Sequence, residues 1–170
     1  MLEHPASLPA DELLGQCQMR RLRRSGPGGQ HRNKVETAVQ LVHRPTGVVA
    51  EASERRSQAE NRRVAAFRLR VNLALTIRGP VGEAPGPSPL WQSRLQGNRI
   101  AVAAAHDDFP CLLAEALDVL AACEADLRRA ASRLHTNPSQ LVKFLGSEPR
   151  ALALLNGWRA ERGLRPLRPR

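Results

Sequence analysis

Ser25-Gly26-Pro27-Gly28-Gly29-Gln30-His31-Arg32-Asn33-Lys34 is the stretch of this sequence whose residue types could do chemistry. Three glycines and a proline within five positions exclude a helix interior or a central strand. Adjacent glycines also let the main chain come very close to a ligand. Arg20, Arg21, Arg23 and Arg24 precede the tripeptide Gly28-Gly29-Gln30, and Arg32 and Lys34 follow it. A backbone-rich tip on a cationic stem suits a phosphate-rich partner better than a small apolar ligand. Ser25, His31 and Glu36 are residue types found in hydrolytic triads, but they crowd one short stretch and nothing in their spacing fixes a mutual geometry. His31 fits a loop-structuring or RNA-contacting role better than that of a general base. The plainest alternative is a Gly-Pro turn joining two strands.

No second constellation competes with this one. Cys17, Cys111 and Cys123 form no Cys-x-x-Cys pair, and neither they nor the five histidines have zinc-ligand spacing. The expectation is free thiols in a reducing cytosol, with no metal and no cofactor. The first fourteen residues are acidic and show neither a signal-peptide nor a transit pattern, and no long apolar run exists to span a membrane. A cytoplasmic protein without a membrane partner is expected.

The loop must be held by its neighbours. Gln18 to Arg24 reads as a strand before it. Val35, Thr37, Val39 and Leu41 alternate with polar or small residues after it, the period of a half-buried strand. Arg44-Pro45-Thr46-Gly47 is a turn, and Val48 to Ala52 returns as a hairpin partner. Ser57-x-x-Glu60 is a capping box opening a long helix, with Val64, Phe67, Val71 and Leu75 as its expected sheet-facing stripe. Upstream, Ser7 is the expected cap of a short helix with Pro9 in its first turn, ending near Gly15. Gly79 to Pro89, with four prolines and three glycines, reads as a linker. Beyond it Ser88 caps a short helix containing Trp91, residues 99–103 are open between strand and helix, and Asp108, Asp126, Asn137 and Ser147 or Glu148 start four helices. The fold class is therefore α+β: a small antiparallel β-sheet packed by one long helix, followed by an all-helical C-terminal region. The expected boundaries are 1–78, a linker at 79–89, and 90–170.

Charge divides along the same lines. Residues 18–78 carry +10, residues 79–126 carry −5 and residues 127–170 carry +8, within a chain of net charge +10. Blocks of that density point to a polyanion bound by particular faces, with nucleic acid the first choice.

The blocks Ser-Gly-Pro-Gly-Gly-Gln-His-x-Asn-Lys, Ala38-Val39-Gln40-Leu41, Pro45-Thr46-Gly47-Val48 and Glu54-Arg55-x-Ser57-Gln58-x-x-Asn61-Arg62 agree in order and spacing with one family. From about Gln18 to Ile77 the sequence resembles the catalytic domain of class I peptide chain release factors. The resemblance implies hydrolysis of the peptidyl-tRNA ester in the peptidyl-transferase centre of the large ribosomal subunit. It implies that Gln30 is catalytic, its backbone N–H stabilising the oxyanion and its side chain positioning water, with Gly28 and Gly29 as conformational support. It also implies methylation of Gln30 by a glutamine methyltransferase. Arg24, Arg32, Lys34, Arg44 and Arg55 are the expected RNA-backbone contacts. Only about 17 residues precede the matching segment, so the chain is similar to the stand-alone members that release peptide without reading a stop codon. Arg32 is a departure, since an apolar residue is commoner there, and so is the helical region after residue 90. Ala130-Ala131, Leu134, Ser139-Gln140-Leu141 and Leu145 have a helix-turn-helix rhythm there. The alternative function is thus a non-enzymatic RNA- or DNA-binding module.

Overall fold

The alternating strand expected after the loop is the centre of a three-stranded antiparallel sheet in a computed structural model of the protein, which describes residues 4–22, 37–82 and 86–168. Strand β1 (Cys17–Leu22) pairs with β2 (Ala38–His43), and β2 pairs with β3 (Val49–Ala52). Cys17 lies opposite His43 and Leu22 opposite Ala38, while Val39 lies opposite Ala52. The β2–β3 turn needs Gly47, whose φ of 72° is left-handed and strained for side chains. Val39, Leu41, Ala50 and Ala52 are buried together on the face toward the long helix.

That helix, α2 (Gln58–Thr76), packs on β2 and β3. Ser57 Oγ accepts from the Glu60 N–H at 3.5 Å, and its carbonyl accepts from the Asn61 N–H at 3.0 Å, which starts the helix where the sequence places it. The buried face differs from the expected one. Of the stripe Val64, Phe67, Val71 and Leu75 only Val71 is buried, and the other three are half-buried. The ridge that meets the sheet is Asn61, Ala65, Leu69 and Leu73, widened by Ala66 and Ala74. Alanines let a helix sit close to a sheet, so the covered face is chosen by fit rather than by the largest side chains. Burial of Leu69 and Leu73, both fully inaccessible, contributes about 1.5–3 kcal/mol each.

The N-terminal segment also departs from expectation. Ser7 does not cap a helix but closes a 3-10 turn at Pro5–Ser7, whose cap is His4, with Nδ1 accepting from the Ala6 N–H at 3.0 Å. Helix α1 (Ala10–Gly15) follows Pro9 with no side-chain cap. Asp11 and Glu12 in its first turn suit the positive helix end, and Leu13 is fully buried. These pieces form the first compact unit, residues 1–76.

Residues 77–170 form the second unit. Helix α3 (Pro89–Ser93) is capped by Ser88, whose Oγ accepts from the Trp91 N–H at 3.1 Å. A two-strand ribbon of β4 (Leu95–Gln96) and β5 (Arg99–Ile100) follows, so four strand residues interrupt the helices expected here. Then come α4 (Phe109–Ala122), α5 (Leu127–Arg133), α6 (Pro138–Gly146) and α7 (Pro149–Glu161). Asp126, Asn137 and Glu148 cap the last three through side-chain oxygens. Asp108 stands at the start of α4 but makes no cap bond, because its carboxylate takes the Arg94 guanidinium at 2.5 and 2.9 Å. Trp91 is the centre of this core: it meets Phe144 edge-on at 5.7 Å, and its indole N–H donates to the Leu134 carbonyl at 2.8 Å. Where the Pro/Gly-rich stretch is described, it binds this unit. The Ser88 N–H and hydroxyl both donate to the Glu115 carboxylate at 2.6 Å, and Arg133 donates to the Gly82 carbonyl.

Candidate functional site

Leu22, the last residue of β1, and Ala38, the first of β2, face each other in the register. The chain that joins them carries Gly28, Gly29, Gln30 and His31 together with Arg24, Arg32 and Lys34. All seven lie outside the described residues. What the structure gives is the base on which that segment is mounted.

The base is built around Asn61, a polar side chain with no solvent exposure. Its Nδ2 donates to the Thr37 carbonyl at 2.7 Å and to the Arg55 carbonyl at 2.9 Å, and its Oδ1 accepts from the Arg55 N–H at 2.9 Å. Thr37 is the first described residue after the loop segment, and Arg55 lies in the turn that leads into α2. One amide therefore ties the return of the loop to the start of the long helix. Its donor and acceptor ends are not interchangeable, since two carbonyls face one side and an N–H the other. Asn61 was visible only as one letter of the last matching block; nothing in the sequence marked it as a brace, and its helical phase relative to Ala65 and Leu69 was the available signal. Gln58, in the first turn of α2, has a buried Nε2 without a hydrogen-bond partner among the described residues.

The two described RNA-contact candidates are separated. Arg55 is at the loop base, bonded through its backbone to Asn61. Arg44 is at the opposite end of β1 and β2, where its N–H donates to the Gln16 carbonyl at 3.1 Å and its guanidinium to the Cys17 carbonyl at 3.2 Å. Five residue steps of strand separate the two ends, about 17 Å. Around Arg55 the cations divide by role. Arg68 pairs with Glu54 and donates to the Glu51 carbonyl, and Arg70 donates to the Ala6 carbonyl, so both hold the unit together. Arg55, Arg56, Arg62 and Arg63 are exposed and form no ion pair among the described residues. The basic surface at the entrance of α2 is thus made of guanidiniums that form no ion pair among the described residues.

The far end of the hairpin is closed by His43, which is buried. Its Nε2 meets Gln16 Oε1 at 3.0 Å and its Nδ1 meets the Thr46 hydroxyl at 2.7 Å. A neutral ring donating from Nε2 and accepting at Nδ1 satisfies both, and burial lowers its pKa from the ordinary value. Cys17 Sγ donates to the Leu13 carbonyl at 3.1 Å, and burial raises its pKa, which keeps the thiol protonated. Among the described residues no three His, Cys, Asp or Glu side chains gather as a metal site, and no helix is long and apolar enough to cross a membrane.

A three-stranded antiparallel hairpin sheet under one helix, with a Gly-Gly-Gln segment joining β1 to β2, has the architecture expected of a release-factor catalytic domain. Residues 14–79 match the family described as the RF-1 domain. It is 49% identical over 51 residues to the mitochondrial peptide chain release factor 1-like protein of Rattus norvegicus. Over 51 residues it is 55% identical to peptide chain release factor 1 of Ureaplasma parvum serovar 3 and to peptide chain release factor 2 of Acidovorax sp.. Each match covers 30% of this chain and only 14% of the relative's length. No solved structure matches the chain.

Proposed function

We propose that the chain hydrolyses the ester of peptidyl-tRNA on the ribosome and so releases the nascent peptide. The observation that carries this reading is the RF-1 domain match over residues 14–79, within which Gly28-Gly29-Gln30 stands intact. Attack of water on the ester carbonyl puts negative charge on its oxygen; the acyl C–O bond then breaks, and the tRNA 3′ oxygen leaves with a proton. Catalysis needs a placed water and a donor aimed at that oxygen. Gln30 supplies the donor from its backbone N–H and the water-positioning group from its side chain, while Gly28 and Gly29 admit the main chain to a crowded centre. Arg24, Arg32, Lys34 and Arg55 face ribosomal RNA phosphates, joined by Arg56, Arg62 and Arg63. Arg44, at the other end of the hairpin, contacts a different part of the RNA.

Release proceeds without a stop codon in the finer form of this proposal, with the second unit supplying further ribosome contacts. Cytoplasmic action and methylation of Gln30 belong to the same reading. The test is peptide release from ribosomes holding a truncated messenger, an intact sense messenger or a stop codon. Release on truncated messenger, independent of a stop codon, is expected. Release only with a stop codon overturns codon independence, and release in none of the three overturns the hydrolase reading.

A further inference from the structure

Residues 127–170 carry ten arginines and lysines against two carboxylates, far more positive charge than folding of the second unit uses. Some of it is structural: Arg133 holds Gly82, and Arg150 pairs with Glu148 at 2.8 Å. Two residues of α7 fix the segment that carries Arg165 and Arg168. Arg159 donates from Nε to the Arg165 carbonyl at 3.0 Å and from Nη1 to the Ala125 carbonyl at 3.2 Å. Asn156 grips Leu167 from both sides, its Oδ1 accepting from the Leu167 N–H at 2.8 Å and its Nδ2 donating to the Leu167 carbonyl at 3.0 Å. Gly163, at φ 67°, turns the chain after α7, and the Leu164 N–H returns to the Arg159 carbonyl at 2.9 Å. The arginine-rich tail is therefore folded back and pinned along α7.

Apolar burial contributes little to this pinning, because Arg165, Pro166 and Arg168 are exposed, Leu164 is 41% exposed and only Leu167 is half-buried. The turn that Arg159 clamps is costly as well: Glu124 and Ala125 are consecutive non-glycine residues at φ 55° and 61°. Directly after it, Arg128 and Arg129 stand in the first turn of α5, where the helix field disfavours cations. The carboxylates nearby are Glu124, Asp126 and Glu161; Asp126 caps α5, and Glu161 lies 3.8 Å from Arg162. Neither Arg165 nor Arg168 has a carboxylate partner among the described residues. What is held here is the tail's backbone, and the guanidiniums outnumber the nearby carboxylates: Arg162 has Glu161, Arg128 and Arg129 share Asp126, and Arg165 and Arg168 have none among the described residues.

We infer that Arg128, Arg129, Arg162, Arg165 and Arg168 form a built ledge that binds the phosphate backbone of RNA. Guanidinium is planar and bonds phosphate oxygens in pairs, and fixing the tail beforehand lowers the ordering cost of binding. Leu164 and the half-buried Leu167 are too little apolar surface to hold the ledge on a lipid membrane. The α6 helix, with Ser139 and Lys143 exposed and Gln140 half-buried, supplies few side chains for base readout, so recognition is of the backbone. The inference rests on the release-factor reading only for choosing RNA among polyanions.

The full-length protein, its Arg162→Gln/Arg165→Gln/Arg168→Gln variant and its Asn156→Ala variant are titrated with a short RNA duplex over a range of salt. No ribosome or release step is involved, so failure here is distinct from failure of the hydrolase reading. Loss of three phosphate contacts should flatten the slope of log K against log salt by about 2 to 3. Asn156→Ala keeps every charge and should weaken binding about tenfold by freeing the tail. Leu167→Pro removes the N–H that Asn156 holds and leaves α7 untouched, so it serves the same test should Asn156→Ala fail to fold. An unchanged slope in the triple variant overturns the ledge as an interface. Wild-type affinity in a folded Asn156→Ala or in Leu167→Pro overturns the pinned tail as its cause. Tighter binding to anionic phosphatidylserine vesicles than to the duplex overturns RNA as the partner.

Discussion

Replacing Asn61 by alanine should loosen the mounting of the Gly-Gly-Gln segment, and the size of the effect follows from its three hydrogen bonds. The amide lies in a position of 0% exposure and holds two backbone carbonyls and one N–H at 2.7–2.9 Å. Each such bond contributes about 0.5–1.5 kcal/mol net, and a buried group left without a partner costs about 1–3 kcal/mol. Arg55 is exposed and its backbone can recover some solvent, so the expected loss for Asn61→Ala is about 2–4 kcal/mol. Asn61→Asp separates a specific bond set from mere volume. It keeps the acceptor toward the Arg55 N–H but turns a carboxylate oxygen toward the Thr37 and Arg55 carbonyls, so it should be at least as destabilising as alanine. Both tryptophans, Trp91 and Trp158, lie in the second unit and will not report this change. Urea unfolding followed by the amide exchange of Val39 and Leu41 will. If Asn61→Ala shifts that unfolding by less than about 0.5 kcal/mol, or if Asn61→Asp is as stable as the native protein, the brace does not exist as described.

Two further expectations follow from the same unit. His43 is buried neutral with its pKa below the ordinary 6.5, so below that pH the unfolded chain takes up a proton that the folded one refuses. Stability should hold above about pH 7 and fall as the pH drops through 6.5 toward the folded value, and His43→Gln should remove most of that slope; an unchanged slope in the variant would assign it to other groups. Thiol labelling of the native protein should modify Cys111, which is half-buried, well before Cys17 and Cys123, which are buried; equal rates at all three positions would contradict the packing of α1 against β1 and of α4 against its neighbours.

The elements of the fold were legible wherever a local rule set them. Ser57 and Glu60 marked the start of α2, Gly47 the hairpin turn, and Ser88, Asp126 and Asn137 their helices, because caps and left-handed turns are decided within a few residues. Apart from Ser7, which closes a 3-10 turn instead of capping α1, the errors fall where a distant partner decides. Asp108 gives up its cap role to Arg94, fourteen residues away in sequence. The buried face of α2 is chosen by what the sheet admits, so Ala65 and Ala66 are covered while Val64 and Phe67 are left half out. The same limit applied to the site. Gly28-Gly29-Gln30 stands out by composition, whereas Asn61 acquires its role only when Thr37 and Arg55 are brought to it. Likewise Arg44 and Arg55 look equivalent as cations in a basic stretch, and only the strand register places them at opposite ends of the hairpin. The tail gave no sign of docking, because Asn156 and Arg159 hold it by backbone hydrogen bonds rather than by an apolar pattern.

The central claim is that Gln30 carries the chemistry while the arginines carry the binding. It is tested by measuring peptide release and ribosome affinity side by side for the native protein, Gln30→Ala and Gly29→Ala. Neither substitution removes a charge, so binding should stay within about twofold of native at each salt concentration while release is lost. Release at the native rate in either variant would contradict the account, whatever the affinity.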